Sequence, residues 1–191
     1  MVGDLRIEVE PDPDVWFLGP TEHRPVDVWL PEAHELLLRI FEVDPQRTEV
    51  ADYLTAMLGR IGHQSTDDEA LPYQLIRWLT LDEVPDVVSF GLVERDGQQS
   101  LIEDFLTGGN QPNVVEEPVV DEVDGSDGRI RRALTYADDG VLMIALRYVV
   151  DTGEPDAVVL VETAGRDLNT IVGLIDPLDD FARSVRLTRV D

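Results

Sequence analysis

The stretch "RIRRALTYADDGVLMIALRYVVDTGEPDAVVLVETAG", Arg129–Gly165, carries the strongest pattern in the chain. It holds three runs rich in Val, Ile, Leu and Ala, separated by two short polar breaks. The breaks contain Asp139-Gly140 and Gly153-Glu154-Pro155-Asp156. Asp-Gly supplies the positive φ of a tight hairpin turn, and Gly-x-Pro-Asp is equally good turn chemistry. Strands joined this tightly must run antiparallel, because a parallel return needs a long crossover. The expectation is a three-stranded meander. "GVLMIALRYVV" and "AVVLVETA" are apolar enough to sit centrally in a sheet.

Downstream, "LIDPLDDFARSVRL" (Leu174–Leu187) reads as a closing helix. Asp176 before Pro177 has the form of an N-cap followed by proline at the first helical position. Asp179 and Asp180 then fall in the first turn, near the positive end of the helix dipole. Leu178, Phe181, Ala182 and Val185 make one apolar stripe. Read this way, the acids start a helix rather than converge on a metal. Arg183 and Arg186 suit its C-terminal end.

Upstream, Leu5, Ile7 and Val9 alternate as a short strand. "VDVWL" (Val26–Leu30) and "ELLLRIFEV" (Glu35–Val43) read as strands around "PEAH", although the second run fits a helix as well. Thr48 opens the clearest helix, with Val50, Tyr53, Leu54, Met57, Leu58 and Ile61 on one face and Gly62 as its expected stop. "HQSTDDEALP" reads as a polar loop. "YQLIRWLTL" and "VVSFGLVERDG" read as strands, and "QSLIEDFLTGG" as a short helix ended by Gly108. The whole predicts an α+β fold over residues 1–191 as one domain: an antiparallel sheet, with a meander in the C-terminal half, and helices packed on it.

Three segments, "RRALTYADDGVLMIALRYVV", "DAVVLVETAG" and "DPLDDFARSVRL", which span roughly the last third of the chain, together resemble the Mog1/PsbP-like α/β/α sandwich family in their pattern of elements. Ser184-Val185-Arg186-Leu187 is similar to that family's tail after the final helix. The resemblance implies a sandwich fold and binding or accessory roles, as in Ran-binding or photosystem-accessory members. It carries over no functional residue.

Composition removes whole classes of chemistry. The chain has no cysteine, so disulfides, thiolate metal sites and cysteine nucleophiles are excluded. It also has no lysine: all 15 basic residues are arginine. That excludes a Walker-type phosphate lysine and a Schiff-base lysine. Abundant Arg, Val, Asp and Gly with no Lys points to GC-rich coding and a bacterial source. Forty acidic residues give a formal net charge of −25, which disfavours nucleic-acid backbones and anionic membrane surfaces. Added salt is expected to raise stability by screening self-repulsion. No apolar run reaches membrane-span length and no signal-peptide pattern opens the chain, so a cytoplasmic location is expected.

Candidate sites are few. "DEVDGSDG" (Asp121–Gly128) offers acids and glycines, but no frame meets the calcium-loop spacing. "FLTGGNQPN" lacks a phosphate-loop pattern and reads as a helix end. His23, His34 and His63 form no metalloprotease motif, and no Gly-x-Ser-x-Gly occurs. No catalytic, metal or cofactor residue is assigned, and no cofactor is expected. Trp16 and Trp29, in the proline-rich region, are the candidate interaction residues. Core packing is the default for both, since large aromatics usually bury most of their area.

The expected function is a non-enzymatic protein-interaction or accessory role, with a basic protein surface as partner. The alternative is a small-ligand-binding or hydrolytic protein with a His/carboxylate site. Self-association through an open sheet edge is a third reading.

Overall fold

The computed structural model describes residues 5–44, 46–64, 71–109, 113–126, 129–138 and 140–190. Its elements, in chain order, are β1 (Leu5–Glu8), β2 (Phe17–Leu18), α1 (Val26–Ile40), α2 (Thr48–Gln64), β3 (Tyr73–Arg77), β4 (Asp86–Glu94) and α3 (Gln99–Thr107). These are followed by β5 (Val119–Glu122), β6 (Ile130–Asp138), β7 (Leu142–Val150), β8 (Ala157–Gly165), α4 (Leu168–Val172), α5 (Ile175–Ser184) and β9 (Arg186–Arg189). The fold is α+β, with a mostly antiparallel sheet and helices packed on it. The chain divides into two compact units: Pro13–Ser89, and Met1–Asp12 together with Phe90–Asp191.

In the second of these units the strand order is β4-β8-β7-β6-β5. The meander forms as expected. Ile130 to Asp138 pair with Val150 to Leu142, and Ile144 to Val150 pair with Gly165 to Val159, all antiparallel. Gly140 and Gly153 both have positive φ, which suits their turns. The amide N–H of each bonds back to an aspartate two residues earlier, Asp138 at 2.9 Å and Asp151 at 2.8 Å. Asp139 lies outside the described residues. β1 and β9 pair separately as an antiparallel ribbon, Leu5 opposite Arg189.

Alternation along β6 sends neighbouring arginines to opposite faces. Arg131 bonds Glu103 on α3 at 2.7 and 3.1 Å, while Arg132 bonds Asp179 on α5 at 2.5 Å. Helices α3 and α5 therefore cover opposite faces of this sheet. Phe181 of α5 meets Phe90 edge to face, with centroids 5.4 Å apart.

The other unit holds β2, β3, the start of β4 and the helix pair α1–α2. Its core gathers Trp29, Ala33 and Leu37 from α1 with Leu54, Leu58 and Ile61 from α2, against Ile76 and Trp78. Here two expectations are corrected. Val26–Leu30 and Glu35–Val43 are not two strands; α1 runs through both as far as Ile40, with Pro31 inside it. The buried residues recur every fourth position, and this helical period prevails over the local proline break. Pro31 lies in the second turn, where it removes one backbone donor but leaves the stripe intact. Gly62 does not end α2, which continues to Gln64. It serves instead as a point of close approach: a Cβ there would stand 2.9 Å from Val26 Cγ1.

Candidate functional site

Trp16 and Trp29 are both in the core, 4% and 0% exposed. Trp29 points inward from α1 and donates its indole N–H to the Leu18 carbonyl at 2.8 Å. Trp16 lies under the Arg77 guanidinium, 6.0 Å from ring centre to Cζ. Packing and one satisfied donor account for these indoles, so neither supplies an exposed contact patch.

The histidines do not assemble into one site. His34 faces α2, its Nε2 3.1 Å from the Ala51 carbonyl oxygen. His63 lies twelve residues further along α2, roughly 18 Å at helical rise. His23 is exposed in the turn before α1, which the Thr21–Arg24 bridge closes. No group of three or more His, Asp or Glu with metal-binding geometry occurs among the described residues. "DEVDGSDG" splits: Asp121 and Glu122 belong to β5, Val123–Ser126 form a turn closed by the Ser126 amide on the Val123 carbonyl, and residues 127–128 lie outside the described set. "FLTGGNQPN" begins as expected with the end of α3 at Gly108, in left-handed conformation; residues 110–112 lie outside the described set.

The acid cluster of the closing helix changes meaning. Asp176 is not the cap. Helix α5 starts at Ile175 after Leu174, so Asp176 sits inside its first turn. The side-chain cap belongs to the preceding short helix, where Asp167 accepts the Asn169 amide N–H at 2.9 Å. Asp179 is only 8% exposed and turned into the protein. It accepts the Tyr148 hydroxyl at 2.8 Å and the Arg132 guanidinium at 2.5 Å. Arg132 and Tyr148 stand directly opposite each other on β6 and β7. Burial, then the Asp179 charge and hydrogen bond, push the Tyr148 hydroxyl far above its ordinary value of 10, so it stays a proton donor. This is a hydrogen-bonded pin between sheet and helix. Sequence reading missed it because its three members are 16 or more residues apart. The only sequence signal was an acid at the edge of an apolar stripe.

The remaining candidate surface is β5. It is the last strand of its sheet order and pairs only with β6 among the described residues, Val119 opposite Leu134 and Glu122 opposite Arg131. All four of its residues are exposed. Val119 is 61% and Val120 42% open, and since neighbours alternate, both faces of the strand are uncovered. Exposed Val115 and the exposed acids Glu116, Glu117, Asp121, Glu122 and Asp124 surround the edge.

Compared with models of known protein families and with curated proteins, the chain matches none. No helix among the described residues is long and apolar enough to cross a membrane.

Proposed function

We propose that this chain acts as a non-catalytic interaction module that accepts a basic, extended segment of another protein along the free edge of β5. The observation that carries this reading is the edge itself: a terminal strand open on both faces, with two exposed valines among carboxylates. An added strand gains main-chain hydrogen bonds, while alternate side chains meet the valines and the acids. The charge pattern selects the partner. Two copies of β5 laid edge to edge would set Glu116, Glu117, Asp121 and Glu122 against the same acids, which is destabilising. A lysine- or arginine-bearing strand meets complementary charge instead. The resemblance to the Mog1/PsbP-like family, whose members serve binding or accessory roles, points the same way.

The test uses a peptide alternating valine and lysine over about ten residues, and a control alternating proline and lysine, which carries the same charge but cannot pair as a strand. The reading predicts saturable binding of the first, tightest at low salt, and at least about tenfold weaker binding of the second. Equal binding of the two peptides would reduce the effect to bulk charge and overturn the proposal.

A further inference from the structure

A second surface feature of the same unit carries the opposite charge. The C-terminal end of α5, the turn after β5 and the end of β7 enclose a cleft of about 460 Å³. Its walls include Ser126, Arg129, Asp151, Thr152, Arg183 and Arg186. Acidic side chains outnumber basic ones in the chain by 40 to 15, but here three arginines face one carboxylate. That carboxylate is already engaged: Asp151 binds Arg95 at 2.6 Å and the Gly153 amide at 2.8 Å. Arg183 is paired with Asp180, while Arg129 and Arg186 have no ion pair among the described residues, so these two supply the excess of positive charge on the cleft wall.

Two of the guanidinium groups are held in place. Arg186 Nη1 donates to the carbonyls of Arg183 and Val185 at 2.7 and 2.8 Å, at the end of α5. Arg183 spans Asp180 at 2.8 Å and the Asp124 carbonyl at 3.2 Å. Anchoring through part of each fork limits the side-chain freedom that a ligand would otherwise have to freeze.

From these observations we infer that the cleft binds a small phosphorylated molecule, with the phosphate group on Arg129, Arg183 and Arg186. Phosphate offers several acceptor oxygens and close to two negative charges, which match more than one guanidinium. The volume is in the range of small-ligand sites and leaves room for an organic body beside the phosphate. This inference is independent of the β5 edge.

The test is titration of the full chain with inorganic phosphate and with glucose 6-phosphate, read by calorimetry and by arginine Nε–H chemical shifts. Saturable binding is expected for both, with glucose 6-phosphate the tighter. Arg129→Gln should weaken binding roughly tenfold. Arg129 is exposed, and no ion pair of its side chain is seen among the described residues, so this variant should fold. Arg39→Gln, which removes the same charge from an exposed position on α1, should leave binding unchanged. Linear, non-saturating shifts would overturn the inference, as would equal losses in the two variants. Glucose 6-phosphate binding no tighter than phosphate would overturn the organic-body part and leave a simple anion site.

Discussion

The seat of α5 and the edge of β5 use the same side chain for opposite purposes. Asp179 on α5 is buried, doubly hydrogen-bonded and joined to Arg132 and Tyr148. Asp121 and Glu122 on β5 are exposed, although they stand opposite Arg132 and Arg131 on the neighbouring strand. The difference is burial. A carboxylate removed from water must find partners, and once paired it becomes costly to remove. An exposed one is solvated, contributes little to stability, and is free to meet something else. In a chain with 40 acids, position rather than abundance tells the two kinds apart.

The comparison breaks most readily at its buried end. Asp179→Ala leaves Arg132 and the Tyr148 hydroxyl without their shared acceptor, and should cost about 3 kcal/mol in urea unfolding. Tyr148→Phe removes a hydroxyl donor shared between Asp179 at 2.8 Å and the Ile175 carbonyl at 3.3 Å but no charge, and should cost about 1 kcal/mol. If Asp179→Ala proved neutral, the pin would not be holding α5 on the sheet.

An intermediate case is Glu103, half-exposed on α3. The hydrogen bond from Arg131 first, with the Arg131 charge adding to it, holds this carboxyl below its ordinary value of 4.5 despite an opposing effect of burial. Asp151 is also held low: burial would raise it, but bonds from Arg95 and the Gly153 amide outweigh that. A folded-state value below the unfolded one means that the unfolded chain takes up protons first as pH falls. The stabilisation is therefore complete above the unfolded value and is lost as pH drops through the folded one. Stability should hold from pH 7 down to about 5 on account of these groups and decline below about 4.5. Glu103→Gln should flatten that acid limb in pH-dependent urea melts. An unchanged limb would mean that the Arg131 pair is too well solvated to matter.

At the exposed end the effects should be smallest. Glu117→Gln and Glu122→Gln should shift unfolding by no more than about 0.5 kcal/mol. A loss above about 1 kcal/mol would show that the edge acids hold structure, like Asp179, and would dissolve the contrast.

Much of this architecture is legible in the sequence, for local reasons. The meander announces itself through Asp-Gly and Gly-x-Pro-Asp turns between apolar runs, each set within a few residues. The left-handed Gly108 that ends α3 is equally local. Helix α1 is not so legible, because Pro31 breaks the pattern to the eye while Trp29, Ala33 and Leu37 keep the helical period against α2. Gly62 reads as a stop because its reason, the approach of Val26, lies 36 residues away. Of the candidate surfaces, β5 hides among acids and prolines that resemble a loop. The arginine-lined cleft joins residues from Gly125 to Arg186, which only the fold brings together. The tryptophans drew attention by size, and size is what places them in the core.

The central claim is that β5 is a docking edge, and backbone amide chemical shifts test it most directly. The valine–lysine peptide is titrated into labelled protein and the perturbed residues are mapped. Perturbation centred on Val119, Val120, Asp121 and Glu122, with slowed amide exchange there, is the predicted result. Perturbation spread over acidic surface elsewhere, or none at β5, would contradict it.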